Sequence, residues 1–412
     1  MKKLYTILAI AAVAAVGCSK TELVDTPDVK IGFQVANYAT QTKAEETSFL
    51  TELSGLGITS NQAFNSKAFI NADNGAGSHN LSVFFDESIA WDSSNTLWAP
   101  ATKDYYWPKS PNSNIDFFSW YDFAGVAPTI TYDGTDATMV WTDKTIAPKA
   151  DILFADIAFH QKANNAVEYG KDGVSEGVPT LFHHALAQVK FTVKIKDGCD
   201  KKVDSHDASK YTFWEVTLSD LAFAANKVHG NGTLTLTGAD PDASDAASSI
   251  TPWTSAVWTN AATPAYVANW FTTAEATGTN ALTTTAANLI PDSYMGNGFV
   301  AVRPQTIGDD VTLGFKMTIN TYYGADLASA KTEGATNTEV IDVASYDGTA
   351  YDTGMYAATG IQLNQLGSIS AWEMNHKYTY NLIIDPSTNV ILYDPAVEAW
   401  AAESTGTVNI PE

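Results

Sequence analysis

Apolar and polar residues alternate along most of this chain with a period of two. In VKIGFQV, Val29, Ile31, Phe33 and Val35 fall on one side, and Lys30, Gly32 and Gln34 on the other. That is the pattern of a half-buried strand. Further strand candidates follow at short spacing: LSVFFD (81–86), DYYWP (104–108), IDFFSWYDF (115–123), TITYDG (129–134) and DILFADIAF (151–159). Turn residues separate them, in NADNGAG (71–77), KSPNSN (109–114) and YDGTD (132–136). The polar break YGKDGVSEG (169–177) precedes VPTLFHHALAQVKFTVKI, where Val189, Phe191, Val193 and Ile195 alternate against Lys190, Thr192, Lys194 and Lys196. We place a domain boundary in that break. The second half continues in the same manner with strands at 211–223, 232–238, 298–304, 311–323, 377–385 and 390–400. Two stretches, Ala239 to Leu289 and Gly324 to Thr359, are rich in Ala, Thr, Gly, Asn and Asp and read as surface loops. No repeat of fixed period occurs, which argues against solenoids and propellers. The expectation is an all-β protein: two tandem antiparallel β-sandwich domains over 44–175 and 176–412, preceded by a tether and first strand in 18–43.

The amino terminus breaks the alternation. Lys2 and Lys3 precede an apolar run from Leu4 to Val16. The run is too short to span a bilayer as a helix and has the shape of a secretory signal. It ends Ala15-Val16-Gly17-Cys18, which resembles the lipobox of bacterial lipoproteins. In that class the signal is cut before the cysteine, which then carries acyl chains. Residues 1–17 are therefore expected to be a signal peptide, and Cys18 a lipid anchor to a membrane. Ser19 to Asp28 is short and polar and reads as a tether. The small, polar segment from Asn37 to Ser48 reads as exposed and cleavable.

Charge narrows the partners. The chain carries 46 acidic and 23 basic side chains, a net charge of −23, and its only arginine is Arg303. Such a surface repels nucleic acid and anionic headgroups, so no nucleic-acid partner is expected. With Cys18 acylated, Cys199 has no cysteine left to pair with. His183 and His184 are adjacent, and neighbours on a strand point to opposite faces, so a shared metal is disfavoured. Asp116, Asp151 and Asp156 lie in or beside apolar strands with nothing to make them converge. Neither GxSxG, HExxH nor a glycine-rich phosphate loop is present. No catalytic residue, metal or cofactor is expected. Trp91, Trp98, Trp107, Trp120 and Trp141 sustain a second reading, in which exposed aromatics on a surface lipoprotein stack against carbohydrate.

Several stretches together resemble the fimbrillin family, the Mfa-like lipoproteins that build type V pili. They are the lipobox, IGFQV, the TKAE region, YYWPKSPNSNIDFFSWY, DILFAD, VPTLFHHALAQVKFTVKI, AWEMNHKYTYNLII and YDPAVEAW, in that order along almost the whole chain. The resemblance implies two transthyretin-like β-sandwich domains and export to the outer-membrane surface as a lipoprotein. It further implies that a trypsin-like protease removes the first strand and that the C-terminal segment of a neighbouring subunit fills the groove. The implied function is that of a structural pilus subunit involved in adhesion, with other subunits, the outer membrane and host or bacterial surface ligands as partners. His184 falls in a stretch resembling the family's phenylalanine-x-histidine segment, which implies a structural hydrogen bond. The family's cleavage site is usually an arginine. Here QTKAEE offers Lys43, followed by Ala44, so only a lysine-tolerant protease would process it. The residues allow the same mechanism: Ile31, Phe33 and Val35 form the removable strand. The donor comes from the strand Val390 to Val397 or from the tail that follows Trp400, with Val408 and Ile410 as its apolar residues.

Overall fold

The computed structural model describes residues 29–37, 63–73, 79–92, 97–149, 151–162, 177–242, 248–267, 281–290, 298–343, 356–357, 360–364, 369–387 and 390–399. Among them the chain is almost entirely β, with one short helix, α1, at Leu327–Glu333. Most strand pairs are antiparallel, as the alternation predicts.

The first half supplies β1 (Phe33–Asn37), β2 (Phe64–Asp73), β3 (His79–Asp92), β4 (Leu97–Pro100), β5 (Asn114–Asp122), β6 (Thr129–Tyr132), β7 (Asp136–Thr145), β8 (Ile152–Ala155), β9 (Ile157–Gln161) and β10 (Val178–His184). Pairing runs β5–β2–β3–β4–β1–β10–β8, and β8 pairs back onto β5. Seven strands therefore close into a ring. Every residue of β5 is buried, so its aromatic residues pack on both faces of the sheet. Phe117 faces into the ring, 5.6 Å from Phe33 and 5.9 Å from Trp107. Phe118 faces the other way, toward Phe69, Tyr132 and Phe159. DILFADIAF, read as one strand, is instead divided into β8 and β9. DYYWP makes only an isolated bridge at Tyr106.

The second core gathers around β11 (Ala187–Ile195), with Val189, Phe191 and Val193 buried among residues of the long antiparallel pair Tyr211–Phe223 and Thr312–Gly324. The strand His376–Asp385 runs parallel to β11, and Val390–Ala399 pairs antiparallel with it at the sheet's edge.

Sheet membership changes at Ala185 and Leu186, beyond the expected break at 169–177 and beyond the 175/176 division. The physical reason is that β10 completes the ring beside β1. Nor do later residues all stay with the second core. Strand Asn231–Ala239 pairs with β7 on one side and with Ser255–Thr259 on the other, and Ser249–Thr251 pairs with β9. Ala239 to Leu289 is thus not only loop, since Trp253 is buried in the first core and donates its indole N–H to the Ala155 carbonyl at 2.8 Å. Gly324 to Thr359 likewise contains α1, whose N-cap Asp326 accepts the Ser329 N–H, and the strand Asn337–Asp342.

The candidate strand-exchange groove

The segment 29–37 occupies the ring in two steps. Residues 29–31 run antiparallel to 105–107: the Ile31 N–H donates to the Tyr105 carbonyl at 2.8 Å, and the Trp107 N–H to the Val29 carbonyl at 3.0 Å. At Gly32 the partner changes, and β1 runs parallel to β10 from Phe33 opposite Val178 to Asn37 opposite Phe182. On its other side Phe33 pairs with Trp98 of β4. The crossing is tight. Gly177 has φ +85°, and a Cβ there would lie 2.7 Å from the Gly32 and Phe33 backbone. Only glycine fits such a position.

Ile31, Phe33 and Val35 all point into the core, exposed by 0, 2 and 0%. Phe33 meets Phe64, Phe117 and Phe85 edge-on at 5.6, 5.6 and 6.5 Å. At ~1.5–3 kcal/mol for each buried side chain, the three contribute roughly 5–9 kcal/mol before entropy is subtracted. Lys30 lies on the other side of the strand, half-buried. Its Nζ is 2.6 Å from Asp104 Oδ1 and 3.8 Å from Asp92 Oδ2. The bond to Asp104 raises the ammonium's pKa.

The wall formed by β10 and β8 is fastened by two histidine–carboxylate pairs. His183 Nε2 lies 2.9 Å from Asp156, and His184 Nδ1 lies 2.7 Å from Asp151. The adjacent imidazoles engage different carboxylates. Behind β5, the Asp116 carboxylate accepts the His160 N–H at 2.7 Å and the Tyr132 hydroxyl at 3.1 Å, while His160 Nε2 meets Asp240 at 2.8 Å. Burial pushes the Asp116 pKa up to about 6. Lys144 and Asp122 form a buried ion pair at 2.6 Å. Among the described residues, no group of three His, Cys, Asp or Glu side chains is placed to hold a metal.

The tryptophans are mainly core residues. Trp98, Trp107, Trp120, Trp141 and Trp372 are buried, and half-buried Trp91 packs on Trp98 at 5.7 Å. A stacking platform made from the first four is therefore excluded. Of the remaining expected site residues, Val397 lies on the edge strand Val390–Ala399, opposite Tyr378, and is 50% exposed. Cys18, Lys43, Ala44, Trp400, Val408 and Ile410 lie outside the described residues. Sequence reasoning missed the Lys30 clamp, because Asp92 and Asp104 lie in different segments and converge only through pairing. It also missed the glycine crossing, although IGF and EGVP carried both glycines.

A family model described as fimbrillin-like matches residues 42–400. No curated protein matches the chain. Among solved structures, a fimbrial protein from Bacteroides vulgatus is similar at 14% identity and TM-score 0.46, covering 90% of this chain and 99% of that one. The fimbrial anchor protein Mfa2 from Porphyromonas gingivalis is similar at 8% identity and TM-score 0.26, covering 90% and 97%. The tip fimbrial protein Mfa3 from the same organism, with a C-terminal truncation, is similar at 9% identity and TM-score 0.28, covering 82% and 95%.

Proposed function

The chain belongs to the fimbrillin-like family, and from that premise we propose that it is a structural, non-enzymatic subunit of a surface fimbria assembled by strand exchange. One observation carries the reading: β1 is a short strand near the start of the described fold, paired on both sides within a ring. Removing it exposes an apolar trough and two rows of backbone groups, a template for an incoming strand. In this reading Cys18 holds the precursor in the outer membrane by its lipid, and a protease cuts between Lys43 and Ala44. A C-terminal segment of a neighbouring subunit then occupies the vacated groove, and adhesion to host or bacterial surfaces is a property of the filament. On this chain the donating segment lies within Val390–Ala399 or in the tail with Trp400, Val408 and Ile410.

The experiment is gel analysis of unboiled surface protein from cells expressing wild type, Lys43→Ala and a chain lacking residues 401–412. Lys43→Ala should stay monomeric and folded, because the tethered strand re-enters at high effective concentration. If it forms ladders as wild type does, cleavage at Lys43 is not the trigger. Undiminished ladders from the tail deletion would move the donor to Val390–Ala399. If both variants form ladders unimpaired, strand exchange is not the mechanism.

A further inference from the structure

The groove has a chemical preference as well as a shape. At the position of Lys30 it presents the carboxylates Asp92, on β3, and Asp104, beside the 105–107 bridge. Backbone pairing on both sides of Lys30 fixes where that side chain must project. The other charged groups on this edge are engaged: Glu87 accepts from the Thr102 and Tyr105 hydroxyls at 2.7 and 2.8 Å, and Lys103 lies over the Tyr105 ring. Once residues 29–37 leave, Asp104 and Asp92 no longer face the Lys30 ammonium, in a chain whose net charge is already −23. Three residues on from Lys30, Phe33 enters the cage of Phe64, Phe85 and Phe117. The groove therefore reads a basic residue and, three places later, an aromatic.

The C-terminal sequence of this chain has the opposite character. Lys377 is its last basic residue, and Asp385, Asp394, Glu398, Glu403 and Glu412 follow. We propose that Asp92 and Asp104 form a selectivity subsite for a basic side chain on the incoming strand. By this preference, the groove takes its strand from a different subunit rather than from a copy of this chain. The proposal rests on the strand-exchange reading and adds to it a rule for which neighbour is accepted.

The test uses the full chain with a specific protease site placed between Asn37 and Phe64. After cleavage it is incubated with fluorescent peptides of residues 29–37, of the same segment with Lys30→Glu, and of residues 401–412. Exchange is read by anisotropy and native mass spectrometry. The 29–37 peptide should bind at least about tenfold more tightly than its Lys30→Glu form, since like charges meet in the latter, and the 401–412 peptide should be no better than that form. With Asp92→Asn and Asp104→Asn together, the first two peptides should bind within about twofold of one another. Equal binding of those two peptides to the wild-type groove overturns the proposal. So does an undiminished preference in the double variant, or tight entry of the 401–412 peptide. If no peptide exchanges, the native segment included, the strand-exchange reading itself falls, and this selection with it.

Discussion

At the residue scale, Asp116 is a buried carboxylate held against the His160 backbone and the Tyr132 hydroxyl. Its pKa, raised to about 6 by burial, sets a sign for the pH dependence of stability. A carboxyl with a higher pKa when folded binds more protons in the folded state. Its contribution is therefore most favourable below its unfolded pKa and declines as pH rises toward and through about 6. Asp116→Asn has no charge to bury, so its cost relative to wild type should shrink between about pH 4.5 and about pH 7.5. Urea unfolding at the two values measures it, and a cost that grows with pH would refute the assignment. Phe33 offers a simpler test. Phe33→Ala removes the ring that touches three phenylalanines and should destabilise the uncleaved chain by ~3–5 kcal/mol in the same measurement.

At the element scale, the crossing of β1 and the start of β10 depends on Gly177. Gly177→Ala combines an unfavourable positive φ with a Cβ pressed onto backbone that has no side chain to swing aside. It should cost more than ~1 kcal/mol and speed release of the first strand after cleavage, a rate that peptide exchange reports directly. Retained strand and unchanged stability would show that the crossing relaxes. Much of this element was legible in advance. Period-two alternation identified Ile31, Phe33 and Val35 as inward-facing, and the bounds of Tyr211–Phe223 coincide with the apolar pattern. Alternation specifies a face but no partner, so the parallel pairing of β1 with β10 and the change of partner at Gly32 were not readable. For the same reason, the change of sheet at Ala185 and Leu186 was not readable from the polar break. A polar break marks where a chain may loop out, whereas β10 belongs where its pairing puts it, beside β1. The Lys30 clamp stayed hidden because its carboxylates are distant in sequence.

At the scale of the whole molecule, the two cores are joined by a strand that belongs to both. In Phe299–Val302, Phe299 and Ala301 pack in the first core while Val300 and Val302 pack in the second. The Ala301 N–H donates to the Pro148 carbonyl at 3.1 Å. The next residue, Arg303, is buried and donates to the Asn231 carbonyl at 2.8 Å and the Asn260 side chain at 2.9 Å. Those contacts fasten the hairpin that the second half contributes to the first core. Under the proposed strand exchange, a subunit would carry tension from the strand it accepts to the strand it donates. Between the two cores that tension would pass through the buried side chains of Phe299–Val302. The cores should therefore unfold together, giving one calorimetric transition whose van't Hoff and calorimetric enthalpies agree. Val300→Asp points a charge into the second core only, and Ala301→Asp into the first only. If the cores are coupled, each lowers that single transition without splitting it. A thermogram in which either variant melts one core and leaves the other at its original temperature would show that the shared strand does not couple them.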